Sequence, residues 1–386
     1  MSTPQIPVFS SRSRSLSVNR SHPPDPDLHE IYNTEDHLDI ITWLQNTSSA
    51  TSDEVSLPSS GLELHSDAIM EPQSPSVSVS RCTGTARSAK TVKTVNNLEL
   101  RQAIYSNHLF TDNFGAYILA DVTAAIESAG ILHPYSSPLT GMEQASIQVT
   151  LSREWDSKET SALSTLLSTP LFGLIPMNDP MLQQSQDTMW TTGPLPQVLG
   201  ASPLVAPKTD YHLGFATPMN CRGPGAAAYF SPTQVNTFPF MLIEGKSEVC
   251  NGSSYKAESQ LVVSGAHRSN SMKFLLHNAF PEATISATET MVFSLAISQR
   301  QAIAYVNFLN LVDNLFYMSF LDNFYLPKAR DRQKCHDFVT NIVSWAKMKF
   351  LSQIKRSLAK IAQNSSHSAT LVAAEDENPS KKRRMA

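Results

Sequence analysis

Residues 238–243, FPFMLI, form an apolar run of strand length that passes into Glu244, Gly245 and Lys246 with no turn signal between them. So apolar a segment is set for burial, and the polar residues at its end ride on the same extended backbone. Side chains alternate along a strand, so Glu244 and Lys246 point to one face. Phe240 and Leu242 share that face by the same count. The strand therefore leaves the core and meets something polar at its C-terminal end.

The surrounding pattern gives this strand a sheet to belong to. MVFSLAI (291–297), QAIAYVNFL (301–309) and LFYMSF (315–320) are β-branched or aromatic runs, and YHLGF after Asp210 starts a preceding strand. The segment 254–277 reads as a helix between the first two apolar strands. A closing helix over about 331–362 has Phe338, Ile342, Trp345, Ile354, Leu358 and Ile361 on one face and Lys347, Lys349, Lys355, Arg356 and Lys360 on the other. This order predicts an α/β core over 210–362, with a mixed central sheet flanked by helices.

The rest of the chain reads differently. Residues 1–95 are rich in Ser, Thr and Pro and cannot bury enough apolar surface to offset ordering entropy, which predicts a disordered arm. Within it, LHEIYNTEDHLDIITWLQ (28–45) has helical spacing and is either a short partner-binding helix or a chance apolar patch. The region 96–209 reads as a helical lead-in, with helices over 96–110, 116–130 and 155–168. Gly130 is placed to cap the second of these. Seven prolines between 170 and 209 predict a long irregular connection. The tail 363–386 is polar and ends in Lys381-Lys382-Arg383-Arg384, a minimal nuclear-import pattern.

Composition narrows the function. The formal net charge is −4, which argues against strong non-specific nucleic-acid binding, although a local basic surface is compatible with it. Four cysteines lack the paired spacing of a zinc site or a disulfide framework. No secretory signal or membrane-length apolar run occurs, so a soluble intracellular chain is expected. Walker A, dinucleotide and nucleophile-elbow motifs are missing from the sequence.

The residue types around 244 suit a metal-dependent phosphodiesterase. Two carboxylates hold a hard divalent ion such as Mg²⁺ or Mn²⁺ through oxygen, and such an ion polarises a phosphate and acidifies a bound water. A nearby lysine positions that water or stabilises developing negative charge. Glu244 and Lys246 supply one carboxylate and the amine, and Asp210 is the best second carboxylate. Gly223-Pro224-Gly225 and Pro232 give the chain turn chemistry to double back between them. Gln260, Ser264 and His267 form a polar stripe on the following helix, with Gly265 and Ala266 small enough for close packing. Each residue has a blander reading: Glu-x-Lys as a solvated strand edge, Gln260 as a surface residue, and His267 as a surface or supporting group.

The order Asp210…Glu244-Gly245-Lys246…Gln260 resembles the PD-(D/E)xK nuclease superfamily. More narrowly, 238–267 is similar to a fungal family of uncharacterised PD-(D/E)xK-like domains, and the likeness extends over about 87–362. It implies a restriction-endonuclease-like core, with Asp210, Glu244 and the Gly245 carbonyl as metal ligands. It further implies Lys246 as the water-activating group and Gln260 in support. Thr209 stands where the superfamily pattern has proline, and an early-helix acidic residue is unassigned between Glu154 and Glu159. Two functions stay open: Mg²⁺- or Mn²⁺-dependent hydrolysis of DNA or RNA, or an inactive nuclease scaffold. The scaffold would bind nucleic acid, or a protein partner through the N-terminal arm.

Overall fold

A computed structural model describes residues 97–376, apart from 136, 154–158, 173–178, 191–194, 197, 205, 217–235 and 247–253. The arm with its 28–45 segment, Glu154, the 223–225 turn and the 381–384 basic run lie outside the described residues, as does the side chain of Glu159.

The architecture is α/β, built on one mixed seven-stranded sheet. In chain order the strands are β1 (Leu109–Asp112), β2 (Leu182–Gln186), β3 (Tyr211–Ala216), β4 (Asn236–Gly245), β5 (Val292–Ile297), β6 (Gln301–Asn310) and β7 (Leu315–Tyr325), arranged β1-β7-β6-β5-β4-β3-β2. The pairs β4–β5 and β1–β7 are parallel and every other pair is antiparallel. A parallel pair needs a crossover, and β4 and β5 have theirs in a 26-residue helix, Ser254–Ala279.

The other helices are α1 (Asn97–Ser106), α2 (Ala120–Ser128), α3 (Gly141–Arg153) and α4 (Glu159–Leu167). With the crossover helix as α5, they continue as α6 (Ala329–Trp345) and α7 (Leu351–Asp376). A single π-helical turn, Ala346–Phe350, joins the last two. That turn absorbs one residue, so Phe350 is buried while Lys349 faces outward, and the apolar face continues through Ile354, Leu358 and Ile361. The helix runs beyond the expected end at 362, to Asp376.

Two core layers sandwich the sheet. One holds Leu242, Leu261, Val262 and Tyr305 beneath α5. The other holds Phe215, Phe240, Ile243, Phe293, Phe338 and Trp345 beneath α6 and the π turn. Phe240 thus packs on Phe215, at 5.4 Å between ring centroids, in the layer opposite Leu242. The simple alternation count fails there because Phe238 has φ 45° and the β3–β4 register shifts between Leu213 and Phe215. Pro239 has no N–H for the ladder, and the 237–239 backbone crosses so close to Gly214 that a Cβ there would meet Thr237 O at 2.6 Å and Pro239 Cα at 3.2 Å.

Residues 97–209 supply both edges of this sheet. His108, at φ 63°, ends α1 before the expected helix 96–110 is complete, and Leu109–Asp112 turn into β1 instead. Within the proline-rich connection, Leu182–Gln186 form β2 against β3. The helix expected over 116–130 spans Ala120–Ser128, with Gly130 at φ 66° just beyond its C-terminus. Helix α3 had no counterpart in the sequence reading. Among the described residues no helix is long and apolar enough to cross a membrane.

Candidate active site

Asp210 is the last residue before β3, and Glu244 and Gly245 end β4, so the antiparallel pairing of Tyr211 with Ile243 brings them side by side. The contact is reciprocal: Asp210 N–H donates to Glu244 Oε1 at 3.3 Å, and Gly245 N–H donates to Asp210 Oδ2 at 2.9 Å. Lys246 is held one step further by its own N–H, which donates to Ile297 O of β5 at 2.8 Å.

Three oxygens converge on the Lys246 ammonium. Nζ lies 2.7 Å from the Gly245 carbonyl, 3.3 Å from Asp210 Oδ2 and 3.4 Å from Glu244 Oε2. The Glu244 side chain is fully buried, Lys246 nearly so, and Asp210 keeps 19% of its side chain in solvent. Burial, followed by the neighbouring Asp210 carboxylate, holds the Glu244 carboxyl well above the ordinary glutamate range, and the Lys246 charge offsets this only in part. Two acids and one ammonium are short of positive charge. Leu163 of α4 covers Gly245, where an added Cβ would lie 3.1 Å from it, closing the site from the side opposite α5.

Helix α5 reaches the site through its second and third turns. Thr209 Oγ1 donates to Ser264 Oγ at 3.2 Å, and Ser264 Oγ donates to the Gln260 carbonyl at 3.0 Å. The Gln260 Oε1 atom is buried and has no hydrogen-bond partner among the described residues. Gly265 packs against β6, as the run of small residues implied: a Cβ at 265 would stand 2.2 Å from Asn307 Oδ1. His267 is buried further along the same helix.

A second polar cluster lies beside the site and was missed in the sequence. His212, two residues into β3 from Asp210, is fully buried, and burial pushes its imidazole down to about 3. Asn236 Nδ2 lies 3.0 Å from His212 Nδ1 and 3.2 Å from the Gln183 carbonyl. An amide nitrogen can only donate, so Nδ1 accepts and the proton resides on Nε2. The Trp190 indole meets the ring edge-on at 5.3 Å, and Trp190 Nε1 and His212 Nε2 are both buried donors with no acceptor among the described residues. A histidine inside an apolar strand was the available signal, but Trp190 comes from the connection read as irregular.

The oxygen set fits a hard divalent cation. It has two carboxylates and a main-chain carbonyl around one point where positive charge already sits, and it has no sulfur or imidazole. Among the described residues no group of three or more His, Cys, Asp or Glu side chains gathers. No curated protein matches the chain. Residues 208–358, which hold Asp210, Glu244, Lys246 and helix α5, match the family model of a domain of unknown function, DUF7924.

Proposed function

We propose that this chain hydrolyses phosphodiester bonds of nucleic acid with the help of a divalent cation, Mg²⁺ or Mn²⁺. The observation that carries the reading is the convergence of Asp210 Oδ2, Glu244 Oε2 and the Gly245 carbonyl on a single cationic point. Asp210, Glu244 and the Gly245 carbonyl would hold the ion. When bound, it would polarise the phosphate and acidify a water. Asp210 is kept in place by the Gly245 N–H and Glu244 by the Asp210 N–H, so neither carboxylate has to reorganise. Lys246, displaced from the shared point by the ion, would orient the attacking water and stabilise charge on the phosphate. Gln260 Oε1, buried without a partner among the described residues, is the acceptor available to a water on the α5 side.

A second reading is supported by the same geometry. Lys246 already bridges both carboxylates, and such a cluster holds β3 to β4 without any metal, as an inactive scaffold would need. The discriminating experiment is a cleavage assay of the full chain with Mg²⁺ or Mn²⁺ on single-stranded, double-stranded and branched DNA and on RNA. Glu244→Gln and Lys246→Ala serve as matched controls. Metal-dependent cutting lost in both variants supports hydrolysis. No cutting, and no Mn²⁺ binding that depends on Glu244, leaves the scaffold. Nuclear import through Lys381–Arg384 belongs to the same proposal, and removing 381–384 from a fluorescent fusion tests it.

A further inference from the structure

The turn that follows β1 exposes two aromatic rings to solvent: Phe114 is 90% exposed and Tyr117 70% exposed. Hydrophobic burial opposes such exposure, yet the turn is firmly built. The buried Asp112 carboxylate accepts the N–H groups of Phe114 at 3.2 Å and Tyr117 at 2.8 Å. Gly115, at φ 67°, passes so close to β7 that a Cβ would lie 2.9 Å from Phe320 O. The rings are held out by a fixed backbone.

The turn stands beside the middle of β7 and on the side of β1 that leads toward the sheet end holding the candidate site. β1 runs parallel to β7, with Asp112 opposite Ser319, so the chain leaves β1 toward the end where β7 finishes at Tyr325. Tyr325 pairs with Gln301, whose carbonyl accepts from Ser298 N–H, and the next residue back, Ile297, accepts from Lys246 N–H. From β4 to β1 is four strand spacings, roughly 19 Å across the sheet, and the turn lies about 20 Å short of Tyr325 along β7. Exposed Arg300 in the β5–β6 turn and exposed Lys328 and Arg330 at the start of α6 lie along that end. Lys328 Nζ is 5.5 Å above the Tyr325 ring. Asp331, at the same end, is engaged with Tyr325 N–H, and Asp322 is half-buried.

We propose that Phe114 and Tyr117 are a base-stacking platform, and that unpaired, single-stranded polynucleotide is the substrate class of the site at the end of β4. This rests on the phosphodiester reading above. Rings stack on any base, and Arg300, Lys328 and Arg330 supply local charge for the phosphates between the site and the platform. Sequence-tolerant recognition of this kind suits a chain whose net charge is −4, because it needs a short basic track and no basic surface.

The test is fluorescence anisotropy on the full chain in EDTA, so that binding is read without cleavage. The probes are labelled oligothymidylate and oligouridylate of roughly 16 nucleotides and a blunt duplex of equal length. Single-strand affinity is expected to fall about tenfold for each ring removed in Phe114→Ala and Tyr117→Ala. Phe114→Tyr and Tyr117→Phe keep it, and duplex affinity is low and indifferent to the rings. Val312→Ala, an equally exposed apolar residue at the opposite end of the sheet, changes nothing. Unchanged single-strand affinity in a double variant that melts like the parent, tighter binding of duplex, or no oligonucleotide binding at all would overturn the platform. Cleavage of the same single strands with Mn²⁺ separates the two ideas. Ring-dependent binding without metal-dependent cutting removes the hydrolase and keeps the platform, and ring-independent cutting does the reverse.

Discussion

Asp210 and Glu244 are bonded to each other through the main chain, the Asp210 N–H reaching Glu244 Oε1 at 3.3 Å, so one carboxylate positions the backbone that restrains the other. Removing the charge of either should therefore leave the frame standing. Asp210→Asn keeps an oxygen for the Gly245 N–H, and Glu244→Gln keeps one for Asp210. Each variant is expected to fold and to lose about 100-fold or more in single-turnover, metal-dependent cleavage.

Lys246→Met takes the opposite course. It leaves a fully buried Glu244 beside Asp210 with no cation between them. A loss of about 3–5 kcal/mol in urea unfolding is expected, as for a buried pair that loses one partner. Adding Glu244→Gln to Lys246→Met should restore a large part of that loss, because the stranded charge is then gone.

Mn²⁺ or Mg²⁺ should restore the missing positive charge. At a concentration about 100 times its dissociation constant, the ion is expected to add about 2.7 kcal/mol of stability, read as a rise in melting temperature. Glu244→Gln should show no such rise. A rise of equal size in that variant would move the metal away from this site.

His212 sets an acid limit. Its folded-state imidazole is pushed down to about 3, against an ordinary 6.5, by burial. The native chain cannot take up the proton that the unfolded chain accepts below 6.5, so this contribution to stability is complete above 6.5 and is lost as pH falls toward 3. At pH 5 the cost is on the order of 2 kcal/mol. His212→Asn should flatten that part of the stability profile, measured by urea titration between pH 7 and 5.

Strands β3, β4 and β5 were legible because burial on both faces demands continuous apolar runs, such as FPFMLI and VFSLAI, which few other structures tolerate. The edges were not legible. LFTD and LQQSQ bury only part of their side chains, so β1 and β2 carry no periodic signal and exist because a neighbouring strand offers a ladder. Helix α3 is similarly weak in pattern and is fixed by tertiary bonds, including those from Arg332 to Gln144 and Gln148 at 2.7 Å. At the site, Asp210, Glu244, Gly245 and Lys246 could be grouped from strand pairing alone. Trp190 and Asn236 could not, because what joins them to His212 is contact across the sheet edge.

Gly265 is expected to be intolerant of enlargement. In Gly265→Ala the new methyl group would sit 2.2 Å from Asn307 Oδ1 and 2.7 Å from its Cβ, so a loss of about 1–3 kcal/mol is expected in thermal unfolding. Asn307→Gly in the same chain removes the Oδ1, Cγ and Cβ atoms that the methyl would meet and should relieve the clash, although it gives up the 2.9 Å bond to Ser294.

That contact has a historical corollary. Positions 265 and 307 share one volume, and the helix carrying Gln260 and Ser264 can come no nearer the sheet than their sum permits. In any lineage of this domain, a larger residue at one position has to be matched by a smaller one at the other, or the whole helix lifts and takes Ser264 away from Thr209. The two positions should therefore change together through descent, and a branch in which they changed separately would mark where the contact between Ser264 and Thr209 was first free to change.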